Sequence, residues 1–284
     1  MNREIQNVDI VIFGLGSITK KIISNFLDKN YKVLCVTNHQ NFLNEKYSKS
    51  CNFMTYKNVL NYQIISNTSI FTWRQDPNFI ENKDFFFEWL ISNSFLTERS
   101  LLLSSASVYK DSPVPLTESP ESLELQVELN DKYVLEILLK NLMKHKDSSH
   151  INLRISNVYG PNLDYGFIGS IMKAIASSSN INLNEGQEVV RDYIYVDDVV
   201  YAIQELIKIN LKKEILNIST GIGTTSDQIF EIFAGKGFNF QKVPRISRVK
   251  NLKKVSILDC GELANLIHWR PNKIDSGLSL MLGE

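Results

Sequence analysis

"VDIVIFGLGSITKKIISNFLDKNYKVLCVT" (8–37) constrains the fold of this chain more than any other stretch. Residues 8–14 are a short, β-branched apolar run ending at Gly14, which predicts a strand buried on both faces. Apolar residues then recur at 18, 22, 23, 26 and 27, one face of a helix over 17–30. Residues 31–37 read as the next strand. A strand–helix–strand unit joins parallel neighbours through a crossover, so it commits the chain to a parallel sheet covered by helices. At the strand–helix junction stands "GLGSIT" (14–19). Gly14 and Gly16 permit a tight turn that brings backbone N–H groups at the helix N-terminus close to a pyrophosphate. Gly14, Gly16, Ser17 and Ile18 are therefore candidate dinucleotide contacts, with a plain tight turn as the alternative. The third glycine position holds Thr19, whose branched side chain is expected to push helix and strand slightly apart.

Further strands are predicted at 69–73, 100–107, 151–159 and 214–220, and helices at 82–93, 122–146, 166–177, 197–210 and 225–235. The alternation predicts an α/β fold with a doubly wound, mostly parallel sheet. Beyond about residue 161 the pattern becomes patchy. The division expected is a dinucleotide-binding domain over 1–160, with a return segment near 189–219, and a smaller C-terminal substrate lobe over 161–284. Thirty-one basic and 31 acidic side chains cancel, which gives no electrostatic reason to expect nucleic acid or an anionic membrane as a partner. No apolar run approaches the roughly 20 residues that span a bilayer. Cys35, Cys51 and Cys260 form no disulfide framework, and the four histidines have no metal-binding spacing. The cysteines read as buried fillers, the expected location is cytoplasmic, and no metal is expected.

"VELNDKYVLEILLK" (127–140) places Lys132 four residues after Glu128 and four before Glu136. On a helix this is one face. It reads either as a solvated ladder of ion pairs or as a reactive helix whose lysine has an unusual neighbour.

"LLLSSASVYK" (101–110), "LRISNVYGPN" (153–162), "VVRDYIYVDDVVYAI" (189–203) and "LNISTGIGTT" (216–225) occur in that order. Together they resemble the extended short-chain dehydrogenase/reductase family, the NAD-dependent epimerases and dehydratases that act on nucleotide-diphosphate sugars. The closing segment 256–282 is similar to the C-terminal part of the same proteins. The resemblance implies that Ser105 hydrogen-bonds the reacting sugar hydroxyl and that Lys132 binds the nicotinamide ribose. It further implies that Asn157, Arg191 and Arg248 (Arg245 is the rival) contact the diphosphate end of the substrate, where a planar guanidinium fork suits phosphate oxygens. Asp197 and Asp198 read as caps of the helix that follows, and Tyr109 and Tyr159 as packing residues.

Four departures from the family pattern stand out. The family's catalytic tyrosine, four residues before the lysine, is replaced by Glu128. A phenolate held near neutrality by lysine suits proton transfer from an alcohol, whereas a glutamate starts near pKa 4.3 and is a weaker base. Burial can raise a carboxylate, so Glu128 stays a candidate catalytic group. Phe13 aligns with the family's first turn glycine. Thr37 and Asn38 stand where NAD-binding folds carry a ribose-binding acid, which leaves NAD and NADP both admissible. Trp73 or Thr72 falls where small residues usually face the cofactor. Two functions follow: an NAD(P)-dependent epimerase or 4-keto reductase of a nucleotide-diphosphate sugar, serving surface polysaccharide synthesis, or a catalytically degenerate homologue that only binds such ligands. The family's helix-mediated pairing makes a homodimer an expectation.

Overall fold

The computed structural model of the chain describes residues 3–38, 51–72, 83–125, 127, 130–177, 189–238 and 253–283. In chain order the elements begin β1 (Glu4–Phe13), α1 (Ser17–Asp28), β2 (Val33–Val36), β3 (Asn52–Met54), α2 (Tyr56–Val59), β4 (Tyr62–Phe71), α3 (Lys83–Ile91) and β5 (Phe95–Ser105). They continue with α4 (Asp131–His145), β6 (Ser149–Ile155), β7 (Asn157–Tyr159), α5 (Gly166–Ala176), β8 (Val190–Tyr195) and α6 (Val196–Leu206). The last are β9 (Ile215–Ile218), β10 (Gly223–Thr225), α7 (Ser226–Gly235), β11 (Val255–Ser256), α8 (Gly261–Leu266) and α9 (Ile274–Leu282).

Seven strands form one sheet in the order β3-β2-β1-β4-β5-β6-β9. The pairings from β3 through β5 are all parallel. This is the doubly wound, Rossmann-like sheet that the opening strand–helix–strand unit requires. The order turns back between β1 and β4, and in such sheets ligands bind beyond the strand C-termini at that switch. Gly14 follows β1 there, and Thr72 follows β4.

Phe13 ends β1, in register with Val36 on one side and Phe71 on the other. Its ring is fully buried, stacks on Phe71 at 4.7 Å and meets the edges of Phe86 and Phe95 at 5.5 Å. The family's glycine position is thus filled by a core aromatic, one residue ahead of the turn that does the bending. Leu139, Leu142 and Met143 of α4 belong to the same hydrophobic cluster.

Several elements differ from the sequence expectation. β4 starts at Tyr62 rather than 69, β5 at Phe95 rather than 100, and 151–159 divides into β6 and β7. β1 and α4 differ for identifiable reasons. β1 starts at Glu4, before the apolar run, because residues 4–7 pair along β4 while their side chains stay largely outside the core. Strand pairing is made by backbone groups, which hydropathy does not report. α4 starts at Asp131 rather than 122, since Leu123 is drawn into a bridge with Tyr109 and Pro120–Ser122 close only a 3₁₀ turn.

A second sheet went unread in the sequence. β8 pairs with β7 and β11 in parallel and with β10 antiparallel, and each strand has six residues or fewer. The chain forms two compact units that interleave along its length. One comprises Met1–Ser104, Asp131–Leu153 and Ile207–Ile215; the other comprises Ser105–Asn130, Arg154–Leu206 and Leu216–Glu284. Aromatic and aliphatic side chains including Tyr159, Tyr193, Ile171, Phe233 and Leu278 build a core within the second. Among the described residues, no helix is long and apolar enough to cross a membrane.

Candidate functional site

In the first unit the chain leaves β1 through Gly14 at φ +98°, a left-handed conformation that a side chain strains. A Cβ on Gly14 would also stand 2.7 Å from Thr72 Oγ1. Gly16 is different. It is the N-cap of α1 at φ −135°, and among the described residues a Cβ there would meet no atom within 4 Å. No side chain caps α1 and its first turn carries no acid. The N-terminus of α1, with its partial positive charge, is thus left without a side-chain cap or a neighbouring acid of its own, an arrangement that fits an anionic pyrophosphate. Ser17 and Ile18 open the helix directly behind it.

Thr19 fills the third glycine position with a hydrogen-bonded side chain. Its side chain is buried and its hydroxyl donates to Thr72 Oγ1 at 3.2 Å, while Thr72 Oγ1 donates to Phe13 O at 3.1 Å. Two hydroxyls thus fasten helix and strand end where the family's third glycine would allow bare contact. At the end of β2, Thr37 is buried and Asn38 Oδ1 accepts from Tyr56 N at 3.2 Å. Asn38 thus uses its carbonyl to hold the start of α2 and retains an NH₂ group, a donor where the family pattern has an acceptor. Trp73 lies outside the described residues.

Lys132 lies in the first turn of α4, half-buried rather than out in solvent. Glu128 lies outside the described residues. Glu136, one turn beyond Lys132, is 1% exposed and accepts a hydrogen bond from Ser104 Oγ of β5. A solvated Glu–Lys–Glu ladder is therefore not what this face presents at Glu136. The sequence reading placed Glu136 on the helix but missed its partner. The available signal was its spacing, three residues before Leu139 and seven before Met143, which puts it on the core side of the helix.

The remaining candidates belong to the second unit. Ser105 caps a short 3₁₀ turn, Ala106–Val108, with Oγ accepting from Ser107 N at 3.1 Å. Its own O–H stays a donor. Asn157 is exposed, and its Nδ2 donates to Asp192 O at 3.0 Å. Arg191 directs Nη1 to Val190 O and Lys254 O, and Nη2 to Lys253 O at 2.6 Å. Burial pulls the arginine below its usual value, with Tyr193 and Asp111 opposing. Asp111 sits beside it, accepting from Lys254 N and Val255 N, and those bonds hold its carboxyl low. Arg245 and Arg248 lie outside the described residues.

Two buried polar side chains that sequence reasoning passed over organise this unit. Asp192 is fully buried and accepts from Ser156 Oγ, Thr220 N, Thr220 Oγ1 and Gly221 N. Desolvation raises its carboxyl, against the lowering effect of those donors. Asn217 is equally buried: Oδ1 accepts from Tyr109 Oη at 2.6 Å, and Nδ2 donates to Leu116 O and Asp259 O. Asp198 grips Asn272 through two hydrogen bonds of 2.8 Å, so it anchors the approach to α9, a role beyond the helix cap expected of it. Tyr159 is a packing residue, its ring fitting where Gly277 of α9 has no side chain. Among the described residues, no group of three or more histidine, cysteine or acidic side chains could hold a metal ion.

Residues 89–219 match the sequence profile of the NAD dependent epimerase/dehydratase family. The chain is 28% identical over 204 residues to dTDP-4-dehydro-6-deoxyglucose reductase of Escherichia coli, covering 69% of this chain and 64% of that protein. It is 29% identical over 120 residues to CDP-abequose synthase of Salmonella muenchen, covering 41% of this chain and 38% of that protein. The matches thus span less than two thirds of these relatives' own lengths. Among solved structures, UDP-glucose 4-epimerase of Thermotoga maritima, determined with UDP-glucose, superposes with a TM-score of 0.78 at 20% identity over 98% of both chains. UDP-glucose 4-epimerase of Thermus thermophilus, determined with NAD, gives 0.77 at 19% identity over 98% of both. At such identities these two establish the fold.

Proposed function

We propose, for a chain that belongs through residues 89–219 to the NAD dependent epimerase/dehydratase family, that it is an NAD(P)-dependent epimerase or 4-keto reductase of a nucleotide-diphosphate sugar. The observation that carries this reading is the β1–α1 turn, strained at Gly14 and open at Gly16, at the switch point of the sheet. Gly14, Gly16, Ser17 and Ile18 bind the pyrophosphate, and Asn38 donates to the adenosine ribose. Because Asn38 is neutral, it repels no 2′-phosphate, so NAD and NADP are both accommodated. The bound nicotinamide supplies the hydride chemistry. Lys132 donates to the nicotinamide ribose. Ser105, its acceptor lone pair held by Ser107 N, donates its hydroxyl hydrogen to the sugar oxygen at the reacting carbon. Glu128 is the nearest sequence counterpart of the family's proton-transferring tyrosine, and Asn157, Arg191 and Arg248 serve the diphosphate end.

The reductase and synthase relatives act, by their names, on dTDP and CDP compounds, which supports a nucleotide-sugar substrate and a place in surface polysaccharide synthesis. Val134, Ile137 and Leu138 leave an apolar stripe exposed on α4, which supports a homodimer. Buried, unpaired Cys35 and Cys51, with burial holding the second thiol near 12, suit a reducing cytoplasm.

The test is hydride transfer, followed by nicotinamide absorbance and by product analysis, on UDP-, dTDP-, GDP- and CDP-sugars with NAD and NADP. Turnover of one class is expected; inactivity of the folded protein on all of them counts against an enzyme. The second reading, a binding homologue without turnover, is favoured by Arg191, whose guanidinium already serves three backbone carbonyl contacts. On that reading ligands raise the unfolding midpoint without being converted.

A further inference from the structure

We propose that Glu136 is a positioning residue that acts through Lys132, an inference that rests on the dinucleotide-binding reading above. Its carboxylate is 1% exposed on a helix whose other buried positions, Leu139, Leu142 and Met143, are apolar. Packing alone calls for another leucine at such a site, because burying a carboxylate is costly unless hydrogen bonds and charge compensate it. The donor is Ser104 Oγ, 32 residues away in sequence, at the C-terminal end of β5. Ser104 is itself buried, so the bond is screened from water and electrostatically strong. It ties the first half of α4 to the end of the sheet where ligands of such folds bind.

The spacing makes the tie functional. Glu136 follows Lys132 by four residues, so the two share a helix face one turn apart. Lys132 stands in the first turn of α4, the end of a helix that frays most readily. The hydrophobic anchors of α4 begin only at Leu139, with Leu135 partly buried against the same cluster. Between those anchors and the helix start, the Ser104–Glu136 bond helps to fix where the lysine turn lies against β5. Without it, α4 would remain docked by its C-terminal half while the amine at residue 132 lost its fixed position. The negative charge also favours an ammonium one turn away, so substitution of Glu136 by Gln removes the charge while keeping an acceptor for Ser104.

A double-mutant cycle on NAD(H) affinity separates this role from simple core stability. Lys132→Ala and Glu136→Gln are each expected to weaken binding about tenfold, and the double variant to be no more than about twofold weaker than Lys132→Ala alone. Ser104→Ala, which leaves the carboxylate in place, is expected to fall between native and Glu136→Gln, and it provides the same cycle should Glu136→Gln fail to fold. Thermal melts run alongside should show losses of stability that add normally, because stability does not pass through the lysine. Multiplicative affinity losses in the double variant would overturn the inference while leaving nucleotide binding intact. Absence of any NAD(H) or NADP(H) binding by the native chain would instead overturn the functional reading, and this inference with it.

Discussion

The turn after β1 and the turn after β9 both carry a left-handed glycine at the end of a strand, and they treat their polar groups in opposite ways. Gly14 bends the first, and beyond it Gly16 opens a helix that no side chain caps. Gly221, at φ +75°, bends the second, Ser219–Gly221, and there the chain fills its own valences. Asp192 takes the N–H groups of Thr220 and Gly221 and the Thr220 hydroxyl, Ser219 Oγ donates to Leu258 O, and Trp269 Nε1 donates to Ser219 O. A turn whose polar groups are satisfied internally is architecture. One with room left beside a positive helix end is where an anion from outside can contribute.

The largest effect expected from this contrast follows removal of Asp192. Asp192→Ala strands several buried donors, and urea unfolding should report a loss of about 4 kcal/mol. If the loss were under about 1 kcal/mol, the second turn would not be held as described.

Acid should distinguish the two regions as well. In the first unit, burial lowers the His150 ring to about 4, where it sits between Ser100 Oγ and Asn152 Oδ1. The unfolded chain then binds more protons between pH 6.5 and 4, so stability falls as pH drops through that window, by on the order of 3 kcal/mol at pH 4. His150→Gln should flatten that limb of a stability–pH curve. Asp192 has the opposite sign. Its raised carboxyl makes the folded state the better proton binder, so on its account stability rises on acidification and is lost as pH climbs through the folded value.

Within the glycine turn the two glycines should part company. Gly14→Ala forces a side chain into a left-handed backbone and against Thr72, costing about 2 kcal/mol. Gly16→Val meets open space at an extended φ and should cost less than about 1 kcal/mol. Thr19→Val, which loses one hydroxyl bond, should likewise be mild, about 1 kcal/mol by thermal melt.

The opening unit was legible because its physics is local: a β-branched run, a 3.6-residue stripe and glycines at the junction. The strands of the second sheet were not, because each is too short to show alternation and is held by partners distant in sequence, as Arg191 of β8 is by Ser256 of β11 and Thr224 of β10. Among the candidate site residues, Gly14 and Gly16 could be read from their place after a strand. The tie from Ser104 to Glu136 and the four donors around Asp192 could not, since each depends on residues that only the folded topology brings together. Phe13 misled in a specific way. It stands where a family glycine is expected, yet β1 uses it as a core ring and leaves the bend to Gly14.

Calorimetric titration of NAD and NADP into the native chain and into Gly16→Val decides whether the first turn receives a dinucleotide. Saturable binding by the native chain, weakened at least about tenfold in the variant at a nearly unchanged unfolding midpoint, is the expected result. Equal binding by both proteins, or none by the native chain, would contradict it.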